Sequence, residues 1–133
     1  MDRETAAAIV KMVPFSAHLG FEITALGRED VVVEVVVRPE YCTSGGTAHG
    51  GFLMALADFT GAVGAFQVLP EGAKGTTTIE SKTNMIGAAP VGTRLRATAS
   101  LLHAGRRTSV WSTRVETEAG KLISVTSQTQ LVL

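Results

Sequence analysis

Cysteine is nearly missing from this chain. One thiol, Cys42, stands in 133 residues, so no internal disulfide can form, and the composition points to a reducing, cytoplasmic setting. Aromatics are scarce as well, at 5%, so core volume has to come from Val, Ala, Leu and Ile within an apolar content of 45%. Neither sign of charge dominates. Twelve Lys and Arg balance twelve Asp and Glu, which removes the global case for a nucleic-acid or membrane-surface partner. No Cys/His group has metal-site spacing, so no metal is expected, and His18 and His103 read as surface residues. The N-terminus, MDRETAAAIVKMVP, lacks the apolar run and cleavage site of a secretion signal. No repeat or low-complexity linker interrupts the chain. Its length predicts one domain over 1–133 that buries roughly two-thirds of its unfolded surface.

What is present is one long apolar run. Residues 50–69, GGFLMALADFTGAVGAFQVL, hold a single charge in about the length of a bilayer span. That charge, Asp58, sits at the centre, where lipid would be costly. No basic cluster flanks either end, and PEGAKG follows as an ordinary turn. A helix apolar on every side is more simply one that protein buries on every side.

The remaining segments read as an N-terminal helix within 1–14, ended by Pro14, and a series of strands. FEITALG (21–27) and DVVVEVVVR (30–38) are two strands joined at Gly27-Arg28-Glu29. The loop PEYCTSGGTA (39–48) leads into a helix over about 49–69. Four strand candidates come after it, at 76–86, 93–103, 108–118 and 122–133, and the closing ones have the spacing of an antiparallel meander. In 93–103, Leu95, Ala97, Ala99 and Leu101 share one face while Arg94 and Arg96 face outward. One long helix among about six strands predicts an α+β fold in which a curved antiparallel sheet wraps the helix.

Several motifs fall on this frame. GGTAHGG (45–51) is followed by LAD (56–58), so an acid stands nine residues after His49; further on come NM (84–85), PVGT (90–93), GRRT (105–108) and GKL (120–122). In these features the chain, from about residue 15 to 133, resembles the hotdog-fold thioesterases of the PaaI-like and 4-hydroxybenzoyl-CoA thioesterase group. The resemblance implies an acyl-CoA substrate, no separate cofactor, and a homodimer with two composite sites, often paired into a homotetramer. It also implies that Thr78 lies near the catalytic site and that the GRRT turn contacts the nucleotide. Many relatives carry Asn or Gln near the substrate carbonyl, six residues before the histidine. Here that residue is Thr43, whose hydroxyl can donate over a shorter reach.

Thioester hydrolysis needs a carboxylate to attack or to activate water, and donors for the oxygen that becomes negative. Asp58 is the candidate for the first role, since an acid in so apolar a segment is partly desolvated; the plain alternative is a water-exposed Asp on a kinked helix. The N–H groups of Gly50 and Gly51, at the helix start, are candidates for the second. Their plain alternative is tight packing at that turn. His49 can hold this loop or touch the thioester, and equally can be a structural hydrogen-bonding residue. Gly50 and Asp58 lie eight residues apart, roughly 12 Å along one helix, whereas a reacting carbonyl must sit about 3 Å from both groups. If both act on one thioester, they come from two antiparallel helices and two subunits.

Between Glu80 and Glu116 there is no acid, while Lys82, Arg94, Arg96, Arg106, Arg107 and Arg114 all fall there. Arg106 and Arg107, at a hairpin tip, can fork onto the phosphates of coenzyme A. Nothing pairs Cys42 with a base, and Trp111 reads as sheet packing. Phe52, Phe59 and Phe66 recur every seven residues, a spacing that suits a phenylacetyl or medium-chain acyl group and equally suits core. Two other functions stay open. One is a non-catalytic acyl-CoA-binding module, favoured by Thr43. The other is an enoyl hydratase or dehydratase, disfavoured because His49 lies at the glycine turn with no proline-rich motif after it.

Overall fold

Pro14 ends one helix and begins another. The computed structural model describes residues 2–133, and residue 1 of the expected N-terminal helix lies outside them. Helix α1 spans Arg3–Met12, and its cap Asp2 accepts the Thr5 N–H at 2.8 Å. The sequence predicts a stop at Pro14, yet α2, Pro14–His18, follows almost at once. Proline lacks an N–H that the first helical turn leaves unpaired in any case, so it starts a helix as readily as it ends one.

The strands form where the β-branched and alternating segments lie: β1 Glu22–Leu26, β2 Asp30–Val36, β3 Thr76–Met85, β4 Arg94–Ala104, β5 Thr108–Thr117 and β6 Leu122–Val132. Helix α3, Gly50–Gln67, stops two residues short of the expected end, where Val68 leaves the helical conformation ahead of Pro70. All strand neighbours are antiparallel, in the order β1-β2-β4-β5-β6-β3. Strands β4, β5 and β6 form the expected meander. β3 precedes β4 in the chain but crosses to the far edge, beside β6.

The sheet face toward α3 changes character from one side to the other. One row runs across five strands through Val31, Ala99, Thr113, Thr126 and Thr83. It is apolar on β2 and β4 and hydroxyl-bearing on β5, β6 and β3. On β6 the same face carries Ser124, Thr126, Gln128 and Gln130, all buried. On the opposite face Arg94 and Arg96 point outward as expected and both approach Glu34 at 3.5 Å. Desolvation pushes the Glu34 carboxyl up, but a Thr24 hydrogen bond and the two guanidinium groups together hold it below the usual carboxylate range.

Helix α3 lies close on this sheet because two of its residues lack side chains. A Cβ on Gly64 would stand 2.6 Å from the Trp111 ring, and one on Gly61 would meet the Gln128 side-chain amide. Trp111 is fully buried, with its indole N–H donating to Ser109 Oγ at 3.0 Å, so it packs the sheet as the sequence predicts. Alanine in place of a helical glycine ordinarily stabilises by about 1 kcal/mol. Here overpacking against the indole reverses the sign, and Gly64→Ala is expected to lower stability by about 1–2 kcal/mol. Urea unfolding checks this; an unchanged or higher midpoint would show that Trp111 has room to move.

Candidate active site

The turn into α3 is held from both sides. Cys42 bridges to Ala48, the Ala48 N–H donates to Ala89 O at 2.8 Å, and the His49 N–H donates to Tyr41 O at 2.8 Å. His49 is the N-cap of α3, and its Nδ1 accepts the Gly51 N–H at 2.8 Å. Nδ1 then carries no proton, which leaves Nε2 as the donor. The two glycines are therefore not equivalent. The Gly51 N–H is occupied, whereas the Gly50 N–H has no acceptor among the described residues and lies at the positive end of the helix dipole. Met85, at the end of β3, packs against the side of Gly50 where a Cβ would stand, with its Cε 3.1 Å from that position.

Tyr41 forms the floor of this turn. Its ring stacks on Phe52 at 4.4 Å and its hydroxyl donates to Leu19 O at 2.5 Å. Burial pushes that hydroxyl above the usual tyrosine range, opposed by the Arg38 guanidinium, so it stays a neutral donor. Tyr41, Cys42, His49, Gly51 and Phe52 help line a cavity of about 250 Å³. A larger groove of about 770 Å³, between α1 and β1, contains none of the sequence-predicted site residues. Phe52 and Phe59 are core residues: Phe52 stacks on Tyr41, and both pack at a tilt against Phe21, so of the three spaced phenylalanines only Phe66 is exposed.

Asp58 sits on the stripe of α3 that the sheet leaves open. Along it Met54 and Phe66 are exposed, and Ala55, Asp58 and Ala62 are half-buried. Its Oδ1 accepts from Thr78 Oγ1 at 2.6 Å and from Gln128 Nε2 at 3.3 Å. Thr78 Oγ1 in turn accepts from Gln130 Nε2. A bulge next to Thr78 brings it there: the β3–β6 register shifts between Thr78 and Glu80, leaving Thr78 toward the helix and Ile79 exposed.

Thr78 thus lies against Asp58, together with Gln128 and Gln130, which the sequence alone does not point to. They stand on the polar phase of SVTSQTQLV, which a sequence reading turns toward solvent, and here that phase faces the helix. Gly50 and Asp58 ride one unbroken helix eight residues apart, roughly 12 Å along its axis, so a single chain does not bring them together. Thr43 is exposed in the 42–49 loop, where its hydroxyl accepts the Gly45 N–H at 3.3 Å.

The basic tract resolves into paired and free cations. Arg94, Arg96 and Arg114 face carboxylates, and Lys82 donates to Asn84. Arg106 and Arg107 are exposed and meet no carboxylate among the described residues. They sit just before Ser109, which pairs with Gln130, itself opposite Thr78. The free cations thus lie at the Asp58 end of the sheet. Among the described residues no three His, Cys, Asp or Glu side chains converge as metal ligands, and no helix is long and apolar enough to cross a membrane.

A long helix on a curved six-stranded antiparallel sheet, with His-Gly-Gly opening the helix and an acid on its uncovered stripe, defines a hotdog-fold thioesterase. Comparison with known proteins bears this out. The Thioesterase superfamily pattern matches residues 45–124, and the chain belongs to that superfamily and is a thioester hydrolase. The 1,4-dihydroxy-2-naphthoyl-CoA hydrolase of Listeria monocytogenes is 27% identical over 107 residues, 80% of this chain and 85% of that one. A Haemophilus influenzae thioesterase structure superposes with a TM-score of 0.87 at 26% identity, covering 96% of this chain and 90% of the other. A mutant of the phenylacetic acid degradation protein PaaI from Thermus thermophilus gives 0.83 at 31% identity, covering 90% and 99%.

The His49 cap has a measurable consequence. His49→Ala removes the acceptor for Gly51 and is expected to lower stability by about 1 kcal/mol, whereas His49→Asn keeps a capping oxygen and should lose only a few tenths. Equal losses in thermal unfolding of the two variants would show that the ring's packing matters rather than its hydrogen bond.

Proposed function

We propose that the protein hydrolyses an acyl-CoA thioester at a site shared between two subunits, with Asp58 as base or nucleophile and the Gly50 N–H as oxyanion donor. One observation carries this reading. A carboxylate oxygen, Asp58 Oδ2, and a helix-terminal donor, the Gly50 N–H, are both without partners among the described residues, and one rigid helix holds them too far apart to serve the same carbonyl. Two copies of α3 lying antiparallel across a twofold axis bring Asp58 of each against Gly50 of the other. The open stripe of α3 and the unpaired edge of β3, with exposed Ile79 and Met85, are the surfaces such a partner would cover. A second such pairing would complete a dimer of dimers.

Either chemical route uses Oδ2. As a base it takes a proton from water, whose oxygen adds to the thioester carbon; the tetrahedral intermediate then collapses, breaks the C–S bond and expels the CoA thiolate, which takes up the proton. As a nucleophile it adds there itself, expels the CoA thiolate and leaves a mixed anhydride that water cleaves. In both, the carbonyl oxygen turns negative against the Gly50 N–H. Arg106 and Arg107 are the cations for the phosphates of coenzyme A, and Phe66, on the Asp58 stripe, fits an aryl acyl group. The Listeria CoA hydrolase supports that substrate class, and the single unpaired thiol fits a reducing cytoplasm.

Free-thiol release from aryl- and aliphatic-acyl-CoAs tests the assignment. Asp58→Asn should lower turnover by at least about 100-fold with the oligomer intact. Tight acyl-CoA binding with no turnover by the wild type would instead make this a binding module. Sharing of the site is tested by complementation. Gly50→Pro deletes the N–H at a helix position that tolerates proline, so it and Asp58→Asn should each be inactive. Co-assembled in equal amounts, they restore one intact site in half the dimers, about a quarter of wild-type activity. A mixture as inactive as its parents would rule out the shared site.

A further inference from the structure

The two oxygens of the Asp58 carboxylate are in different circumstances. Oδ1 accepts from Thr78 on β3 and Gln128 on β6, while Oδ2 accepts from nothing among the described residues. A carboxylate turns easily about its terminal torsion, so this difference needs something to maintain it. Thr78 has one hydroxyl proton, and its direction depends on Gln130, whose side chain is buried at 1% exposure. Thr76 Oγ1 donates to Gln130 Oε1 at 3.1 Å, and Gln130 Nε2 donates to Thr78 Oγ1. With the amide reversed, Thr78 would face two acceptors, Gln130 Oε1 and Asp58 Oδ1, with a single proton to give. One of those contacts would then be a buried repulsion between lone pairs. Thr76 can serve either orientation, since its hydroxyl also reaches Leu131 O at 3.0 Å. The choice is therefore made at Thr78: only with Nε2 toward it does the order run from amide to hydroxyl to carboxylate with no acceptor left facing an acceptor.

We propose that Gln130 is a positioning residue acting through Thr78: its amide directs the Thr78 proton onto Asp58 Oδ1 and thereby reserves Oδ2 for the reaction. This rests on Asp58 as the base or nucleophile. The relay is stiff because both glutamines stand on the buried phase of β6, and Gly61 leaves room for the Gln128 amide beside Asp58. A wandering Thr78 proton would let the carboxylate turn and offer either oxygen, so the relay acts on the productive fraction of bound complexes and thus on kcat.

Substitutions that change donors without changing shape test this. Gln130→Glu replaces the donor by an acceptor that competes for the Thr78 proton. It should lower kcat by about ten- to a hundredfold with KM within about threefold. Thr78→Val should lose as much, and Thr78→Ser, which keeps the hydroxyl, should stay within about threefold of wild type. Because Gln130 acts only through Thr78, the double variant Gln130→Glu/Thr78→Val should be no worse than Thr78→Val alone. Should the buried glutamate prevent folding, Gln130→Met deletes the donor without a charge and should lower kcat about three- to tenfold. A wild-type kcat in the Gln130 variants, a loss confined to KM, or losses that multiply would overturn the proposal.

Neutron diffraction from deuterium-exchanged wild-type crystals reads the relay without any substrate. The Thr78 deuteron should point to Asp58 and one of the two Gln130 amide deuterons to Thr78; a reversed amide would overturn the relay whatever the enzyme hydrolyses. Full turnover by Asp58→Asn, with the deuterons placed as expected, would sink the functional reading and leave the hydrogen-bond order standing.

Discussion

The close seating of α3 on the sheet is the contact on which the rest of the structure depends. Thr78 and Gln128 reach Asp58 from strands on the far half of the sheet, and they do so because Gly61 and Gly64 let the helix backbone settle against Gln128 and Trp111. Each glycine costs about 1 kcal/mol of helix propensity relative to alanine. Burial of the whole Trp111 ring on β5 offsets that. Side chains at 61 and 64 would lift the helix, and Asp58 would lose its tethers before the core lost its apolar contacts.

That seating also forces a polar seam into the interior. Ser81, Thr113, Ser124 and Gln128 each contribute a buried side-chain atom without a hydrogen-bond partner among the described residues, and all four lie on β3, β5 or β6. Orphaned buried polar groups cost about 1–3 kcal/mol each. Apolar residues of the same shape at Thr113 and Ser124 would pack at least as well. The sheet therefore carries its polarity on β3, β5 and β6, the half beneath Asp58, beside the buried apolar side chains of Trp111, Val115 and Ile123. Such a division is usual where a stability optimum and a functional site compete for the same strands.

Local physics was legible in the sequence, and long-range pairing was not. The β-branched run at 30–38 and the alternation of 93–103 announced strands because period and propensity agree there. Asp58 announced itself as the one acid in an apolar helix. Gly50 was legible as a candidate donor, but not its difference from Gly51, which hangs on the side chain of His49 turning back onto the helix. The crossing of β3 to the outer edge was out of reach, because an edge strand and an inner one have the same pattern until their partners are known. Gln128 and Gln130 were hidden for the same reason: only register against β3 and β5 shows which phase of β6 faces the helix. Phe52 and Phe59 carry a spacing that suits ligand and core alike, and their packing against Tyr41 and Phe21 decides for core.

In the proposed reading the stiffness of α3 has a further consequence. An unbroken helix fixes the spacing between its own donor and its own carboxylate, so neither can adjust to a substrate independently. A small slide of one helix along its twofold partner moves the donor and the carboxylate at both sites by the same amount. Catalytic geometry then depends on how firmly the stripe Met54, Asp58, Ala62 and Phe66 seats against a second copy, and misplacement by about 1 Å is enough to cost on the order of a hundredfold in rate. The same apolar surface that would be a liability on a lone chain becomes the part that sets the distance between base and oxyanion donor. Interface packing and catalysis are, on this account, one constraint.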